Sequence, residues 1–297
     1  MRASLQSVIR VLKTPSVPDV ITQKPFDHDP GHYRRLCSIQ AGNPDPCDLV
    51  NYALDMQYMD LQPDLLRNLT PLRLTAWRRD LFEGDNAGYG AFVEHFWPAL
   101  LKGVALKQVF TEPEQAALAD FLRDSILDRL DVENSLHFSG MGASPYRWVQ
   151  SLVAYGVLFS DILRLWNEWW DTKTIGHAIA LFQFASALMC DDKKNPVFAP
   201  WTRDHGGGPP ALWDCGCHMF DIGWKEANLS FLRQTVNVDY VKECLRLALH
   251  RIPSGSSKNT ASRIVLDLPK QEALLALRIQ ELPKLLENVS AVEGFTV

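Results

Sequence analysis

The stretch SPYRWVQSLVAYGVLFSDILRLWNEWW, residues 144–170, and its near neighbour TIGHAIALFQFASALMC, residues 174–190, decide the fold class. In the first, Trp148, Leu152, Tyr155, Phe159, Ile162, Trp166 and Trp170 follow one another at steps of four and three, the period of an α-helix. Val149, Val153, Val157, Leu158 and Leu165 fill the flanking faces, so this helix is apolar almost all round. A helix with that pattern is buried on more than one side. The second stretch has the same character. It contains no acidic or basic residue but carries His177, Gln183 and Ser186. At 17 residues it falls short of the roughly 20 apolar residues that a membrane-crossing helix needs. The two stretches are expected to form a central helical hairpin, one helix over 145–170 and one over 174–190.

Working outward, nearly every regular segment reads as helix. Asp45-Pro46 is an N-cap followed by proline in the first turn, opening a helix through Leu49, Val50, Ala53 and Leu54 that closes near Asp60. Thr70-Pro71 starts another, with Leu72, Leu74, Trp77, Leu81 and Phe82 apolar and Gly84 just past its end. Thr111-Glu112-Pro113-Glu114 is a capping box opening a surface helix with one buried stripe. Helical periodicity returns at Trp224 and after Val238. Residues 263–268, RIVLDL, are the one candidate for a short strand, and Pro269 begins a last helix. The expected fold is mainly α: a compact irregular multi-helix domain, bundle-like or a short irregular α-solenoid, with one long Gly/Pro-rich loop. A single domain over 1–297 is the base reading. The subdivision it allows separates N-terminal helices, 1–138, from the Trp-rich hairpin and C-terminal helices, 139–297.

Charge narrows the partners. Thirty Lys/Arg against 35 Asp/Glu give a net charge of −5 with no basic half, which argues against binding a phosphate backbone. An acidic surface suits a basic protein partner instead, such as a toxin held by its immunity protein. Six cysteines spread over 297 residues lack the density of a disulfide scaffold, so a reducing cytoplasm is the expected compartment. Residues 1–18 hold Arg2, Arg10 and Lys13 without an acid, with Leu5, Val8, Ile9 and Leu12 on one face. The expected reading is an ordinary first helix docked on the core. The alternative is an organellar transit peptide.

The candidate chemistry gathers in the long loop, where seven glycines and prolines crowd residues 200–216 and Trp201, Trp213 and Trp224 flank them. Three readings compete there. As a metal site, Cys215, Cys217 and His218 supply soft and borderline donors that Asp204 or His205 could complete for zinc. The single residue between the cysteines is closer than zinc knuckles use. As an acyl-transfer site, His205-Gly206-Gly207-Gly208 resembles an oxyanion-hole stretch, but the chain has no Gly-x-Ser-x-Gly nucleophile elbow. As structure, the loop turns sharply and its aromatic residues pin it to the helices. That third reading still permits a pocket, with Asp204, His205, Trp213 and Asp221 as its ligand-binding candidates.

Elsewhere, His28 and His32 stand four apart, but Pro30-Gly31 between them points to a polar turn rather than a metal pair. Walker, dinucleotide-binding, zincin and kinase signatures are all missing. The expected function is therefore a non-catalytic soluble helical binding protein whose partner is a protein rather than a small molecule. No cofactor is expected. The alternative is a helical enzyme, zinc-dependent in its metal-using form, with its site under residues 196–224.

Overall fold

The structure is a computed structural model that describes residues 2–13, 16–26, 29, 31–39, 44–84, 96, 97, 100, 105–137, 145–190, 197 and 223–287. Among them the protein is mainly α, with twelve helices and no strand. No helix among the described residues is long and apolar enough to cross a membrane. The chain divides into two compact units, one of Met1–Ser125 with Met141–Ala143 and the other of Ile126–Gly140 with Ser144–Val297.

The first unit contains α1 (Leu5–Leu12), α2 (Gly31–Ser38), α3 (Pro46–Tyr58), α4 (Pro63–Glu83), α5 (Ala105–Val109) and the first part of α6 (Glu112–Asp131). Helix α1, expected from the apolar face of Leu5, Val8, Ile9 and Leu12, opens on a reciprocal cap. Ser4 Oγ accepts from the Ser7 amide at 3.2 Å, and Ser7 Oγ accepts from the Ser4 amide at 3.0 Å. Each side chain thus satisfies an amide that the first turn leaves over. The helix ends at Lys13, which is left-handed with φ 44°. It buries Val8 and Leu12 and packs on α4.

Helix α4 departs from expectation. It starts at Pro63 rather than at Thr70 and continues through Pro71. Thr70 is no cap: its hydroxyl donates back to the Leu66 carbonyl at 2.7 Å. Pro71 lacks the amide that would bond to Arg67, yet Leu65, Leu66, Leu69, Leu74, Trp77 and Leu81 form a buried stripe on both sides of it. Burying each such side chain is worth about 1.5–3 kcal/mol, which outweighs the roughly 3 kcal/mol cost of one interior proline. The core of this unit stacks Trp77 on Phe96 at 5.5 Å, with Trp97 edge-on to Trp77 at 5.4 Å.

The second unit contains the end of α6, then α7 (Pro145–Leu158), α8 (Ile162–Trp170), α9 (Ile175–Met189), α10 (Glu226–Thr235), α11 (Val238–Arg251) and α12 (Ser256–Glu287). Every residue of α9 from Gly176 to Met189 is buried, as its all-round apolar sequence requires, and it packs on α11, α12, α8 and α7. Trp166 stacks on Trp170 at 4.5 Å, Trp170 stacks on Tyr240 at 5.3 Å, and Trp148 meets Trp169 edge-on at 5.2 Å.

Two sequence readings are corrected here. The single helix expected over 145–170 is two, because the chain breaks at 159–161. Asn228 Nδ2 donates to the carbonyls of Gly156 and Phe159, at 2.8 and 2.7 Å. Its Oδ1 accepts from the Ile162 amide at 3.2 Å, so one buried amide satisfies both sides of the break. The strand expected at 263–268 is helix, and α12 runs on through Pro269 and Pro283. Ala261, Ile264, Leu268, Leu275, Leu282 and Leu286 recur on one buried face, which α9, α10 and α11 cover.

Candidate functional site

The residues singled out for chemistry, Asp204, His205, Trp213, Cys215, Cys217, His218 and Asp221, all lie outside the described residues. Among the described residues, no group of three His, Cys, Asp or Glu side chains is placed to hold a metal ion. The described cysteines, Cys37, Cys47, Cys190 and Cys244, are free thiols. Burial pushes the Cys190 thiol up to about 11 and raises those of Cys37 and Cys244, which keeps all three protonated and poorly nucleophilic.

The densest polar constellation is one that sequence reasoning took for a turn. His32, in the first turn of α2, is fully buried, and so is Asp55 on α3. His32 Nε2 lies 2.9 Å from Asp55 Oδ2, and Nδ1 lies 2.5 Å from the Asp29 carbonyl. A carbonyl oxygen only accepts, so Nδ1 carries a proton. Asp55 also accepts from the Tyr33 hydroxyl at 2.7 Å and from the Phe26 amide at 2.6 Å, which favours its ionised form. Nε2 therefore donates as well, and the group is an imidazolium–carboxylate pair. Burial alone would lower the His32 pKa, but the bonds to Asp55 and to the Asp29 carbonyl outweigh it and the net shift is upward. Burial likewise pushes Asp55 up, and its three donors bring it below the ordinary carboxylate value.

An imidazolium with both protons committed has no lone pair to offer as a base. The arrangement fastens the 26–33 segment to α3. A second clasp does the same one stretch earlier: Gln62 Oε1 accepts from the Thr22 and Gln23 amides at 2.8 and 3.1 Å, and Gln62 Nε2 donates to the Val20 carbonyl at 3.0 Å. The signal for both was present on α3 and just after it. Tyr52, Asp55 and Asp48 share the buried side of α3, and Asp48 receives Arg35 through two bonds of 2.8 and 2.6 Å.

The Gln62 clasp ties the 17–21 segment down through the Val20 carbonyl, and the segment, bent at Asp19 and Val20, stands opposite α2. Between them lies an open groove of about 580 Å³, lined by Val17, Pro18, Val20 and Ile21 on one side and Arg34, Cys37 and Ser38 on the other, with Asp19 at its edge. Val17 is 42% exposed and Val20 68%. Phe26 and Tyr58, the last residue of α3, are both exposed and meet with ring centroids 4.9 Å apart. The groove mixes polar and apolar surface and carries one charge of each sign, Asp19 and Arg34. It suits recognition of a partner surface better than covalent chemistry. The chain matches no family model, no curated protein and no solved structure, so these residues stand on their own geometry.

Proposed function

We propose that the chain is a non-catalytic helical binding protein whose partner is another protein, of the kind an immunity protein holds. The observation that supports this is the groove between residues 17–21 and α2, with Val17 and Val20 exposed at its wall. A wall tied down by the Gln62 clasp presents its side chains at less ordering cost, a condition that favours an anchor site. The net charge of −5 favours a basic partner through its encounter rate. The free thiols of Cys37, Cys47, Cys190 and Cys244 favour the cytosol as the compartment.

Affinity capture from native lysate, followed by Val20→Glu, tests this. The expected result is one basic protein retained at near-stoichiometric yield by the wild type and at least tenfold less by the variant. Val20 is 68% exposed, so the substitution leaves the fold intact. No stable partner at that yield, or equal retention by Val20→Glu, would count against the reading.

A further inference from the structure

The groove between residues 17–21 and α2 is lined by bonding groups that the chain itself does not use. Every residue of 17–21 borders it, and among the described residues their backbone makes one hydrogen bond, from Gln62 Nε2 to the Val20 carbonyl. The amides of Val17, Asp19 and Ile21 and the carbonyls of Pro18, Asp19 and Ile21 have no partner among the described residues. A run of unpaired N–H and C=O groups is a template on which another chain can add.

The two charges of the groove are equally unused. Asp19 belongs to one side and Arg34 to the other, and both are exposed. Neither forms an ion pair with the other or with any described residue. Arg35, one position further along α2, is the contrast: its guanidinium bonds Asp48 twice and lies 3.5 Å from Asp29 Oδ2. Arg34 thus remains available to an acidic group on a partner, and Asp19 to a basic one.

We propose, resting on the protein-partner reading above, that the groove receives an extended segment of the partner chain. That segment pairs its backbone with residues 17–21, sets a Lys or Arg against Asp19 and sets an Asp or Glu against Arg34. A helix gains less here, because its amides and carbonyls bond to one another and its side chains make it about 10–12 Å across. The backbone groups of 17–21 would then face only side chains. In an extended segment successive side chains point to opposite sides. Its basic and acidic residues therefore stand an odd number of positions apart and reach the two walls. Val17 and Val20, both exposed, offer apolar contact beside the charges.

Panning a phage-displayed library of random seven-residue peptides on the full chain, then titrating the selected peptide by fluorescence anisotropy, tests this. The expected peptide carries one basic and one acidic residue an odd number of positions apart. Asp19→Lys should weaken its binding at least tenfold, and changing the peptide's basic residue to glutamate should restore affinity for that variant. Arg34→Glu should likewise weaken binding at least tenfold. Both positions are exposed, so neither substitution disturbs the core. Methylating the peptide's backbone amides one at a time should cost at least tenfold at one position or more. No enriched peptide, an affinity unmoved by either substitution, or a methylation series without effect would overturn the proposal. A lysate partner that the selected peptide does not displace would overturn the extended mode and leave the protein-partner reading standing. A charge-dependent peptide with no lysate partner would support the groove and count against that reading.

Discussion

His32 Nε2 and Asp55 Oδ2 are 2.9 Å apart, and neither side chain has any exposed surface. Because the His32 pKa is raised above its ordinary 6.5, its contribution is complete below about that pH and is lost as pH rises through the folded value. Asp55 is lowered from 3.8, so its contribution is present above that value and is lost as pH falls through the folded one. The pair is strongest between these limits. Urea midpoints of the wild type should therefore fall from pH 5.5 to pH 8.5 by an amount that disappears in Asp55→Asn. At pH 5.5 that variant should lose about 3–5 kcal/mol, the usual cost of stranding one member of a buried pair. A pH-dependent fall of unchanged size in Asp55→Asn would remove the assignment.

Arg67 gathers three segments of the first unit. It donates to both oxygens of Glu114, at 2.5 and 3.0 Å, to the Val109 carbonyl at 2.7 Å and to the Leu12 carbonyl at 2.9 Å. The Arg67 bonds, helped by the Thr111 amide and hydroxyl, hold the Glu114 carboxyl at about 2 against the opposing effect of burial. A depressed carboxyl stabilises above its ordinary 4.5 and loses that effect as pH falls toward 2. Glu114→Gln should cost about 1.5–3 kcal/mol at pH 7. Its acid unfolding curve should converge with the wild-type curve near pH 2. Curves that stay parallel throughout would show that the carboxylate charge is not what matters.

What could be read from the sequence was what neighbouring residues decide. Asp45 caps its helix through a bond to the Cys47 amide two residues on, and α9 is buried all round because its sequence is apolar all round. The capping box at Thr111 is realised in half: Glu114 accepts from the Thr111 amide at 2.8 Å, while the Thr111 hydroxyl donates to the Glu114 carboxylate. What was illegible depends on partners far along the chain. The break at 159–161 is set by Asn228, and the passage of α12 through Pro269 by the helices that cover its apolar face. His32 looked like part of a polar turn because its partner, Asp55, stands 23 residues away. Of the site candidates, those between Asp204 and Asp221 fall outside the described residues, whereas the groove at 17–21 carried no motif at all.

Gly176 explains why α9 can start where it does. A Cβ there would lie 2.3 Å from the Leu130 carbonyl oxygen and 2.4 Å from that of Asp131, both backbone atoms that cannot rotate aside. Thr174 and His177, on either side, reach Asp131 Oδ1 at 2.9 and 3.1 Å, which ties the start of α9 to the end of α6. Replacing a helical glycine with alanine ordinarily stabilises by roughly 0.5–1 kcal/mol. Here the sign should reverse, with Gly176→Ala losing about 1–3 kcal/mol through overpacking. Chemical unfolding followed by tryptophan fluorescence measures it. A variant at least as stable as the wild type would contradict the close approach.

Asn228 sits at 1% exposure between α7, α8 and α10 and makes all its bonds to backbone groups that no helix satisfies. Two of those bonds require an N–H donor facing carbonyls, and the third requires an acceptor facing the Ile162 amide. Aspartate is nearly the same shape but supplies no donor, so Asn228→Asp would set a charge against the Gly156 and Phe159 carbonyls. Each buried group left unpaired costs about 1–3 kcal/mol. Asn228→Asp should therefore destabilise more than Asn228→Ala, although it removes fewer atoms. Shape-based packing predicts the opposite order, with alanine worse because it leaves a cavity. Urea unfolding of the two variants at pH 7 separates these outcomes, and an alanine variant less stable than the aspartate one would show that Asn228 acts by filling space.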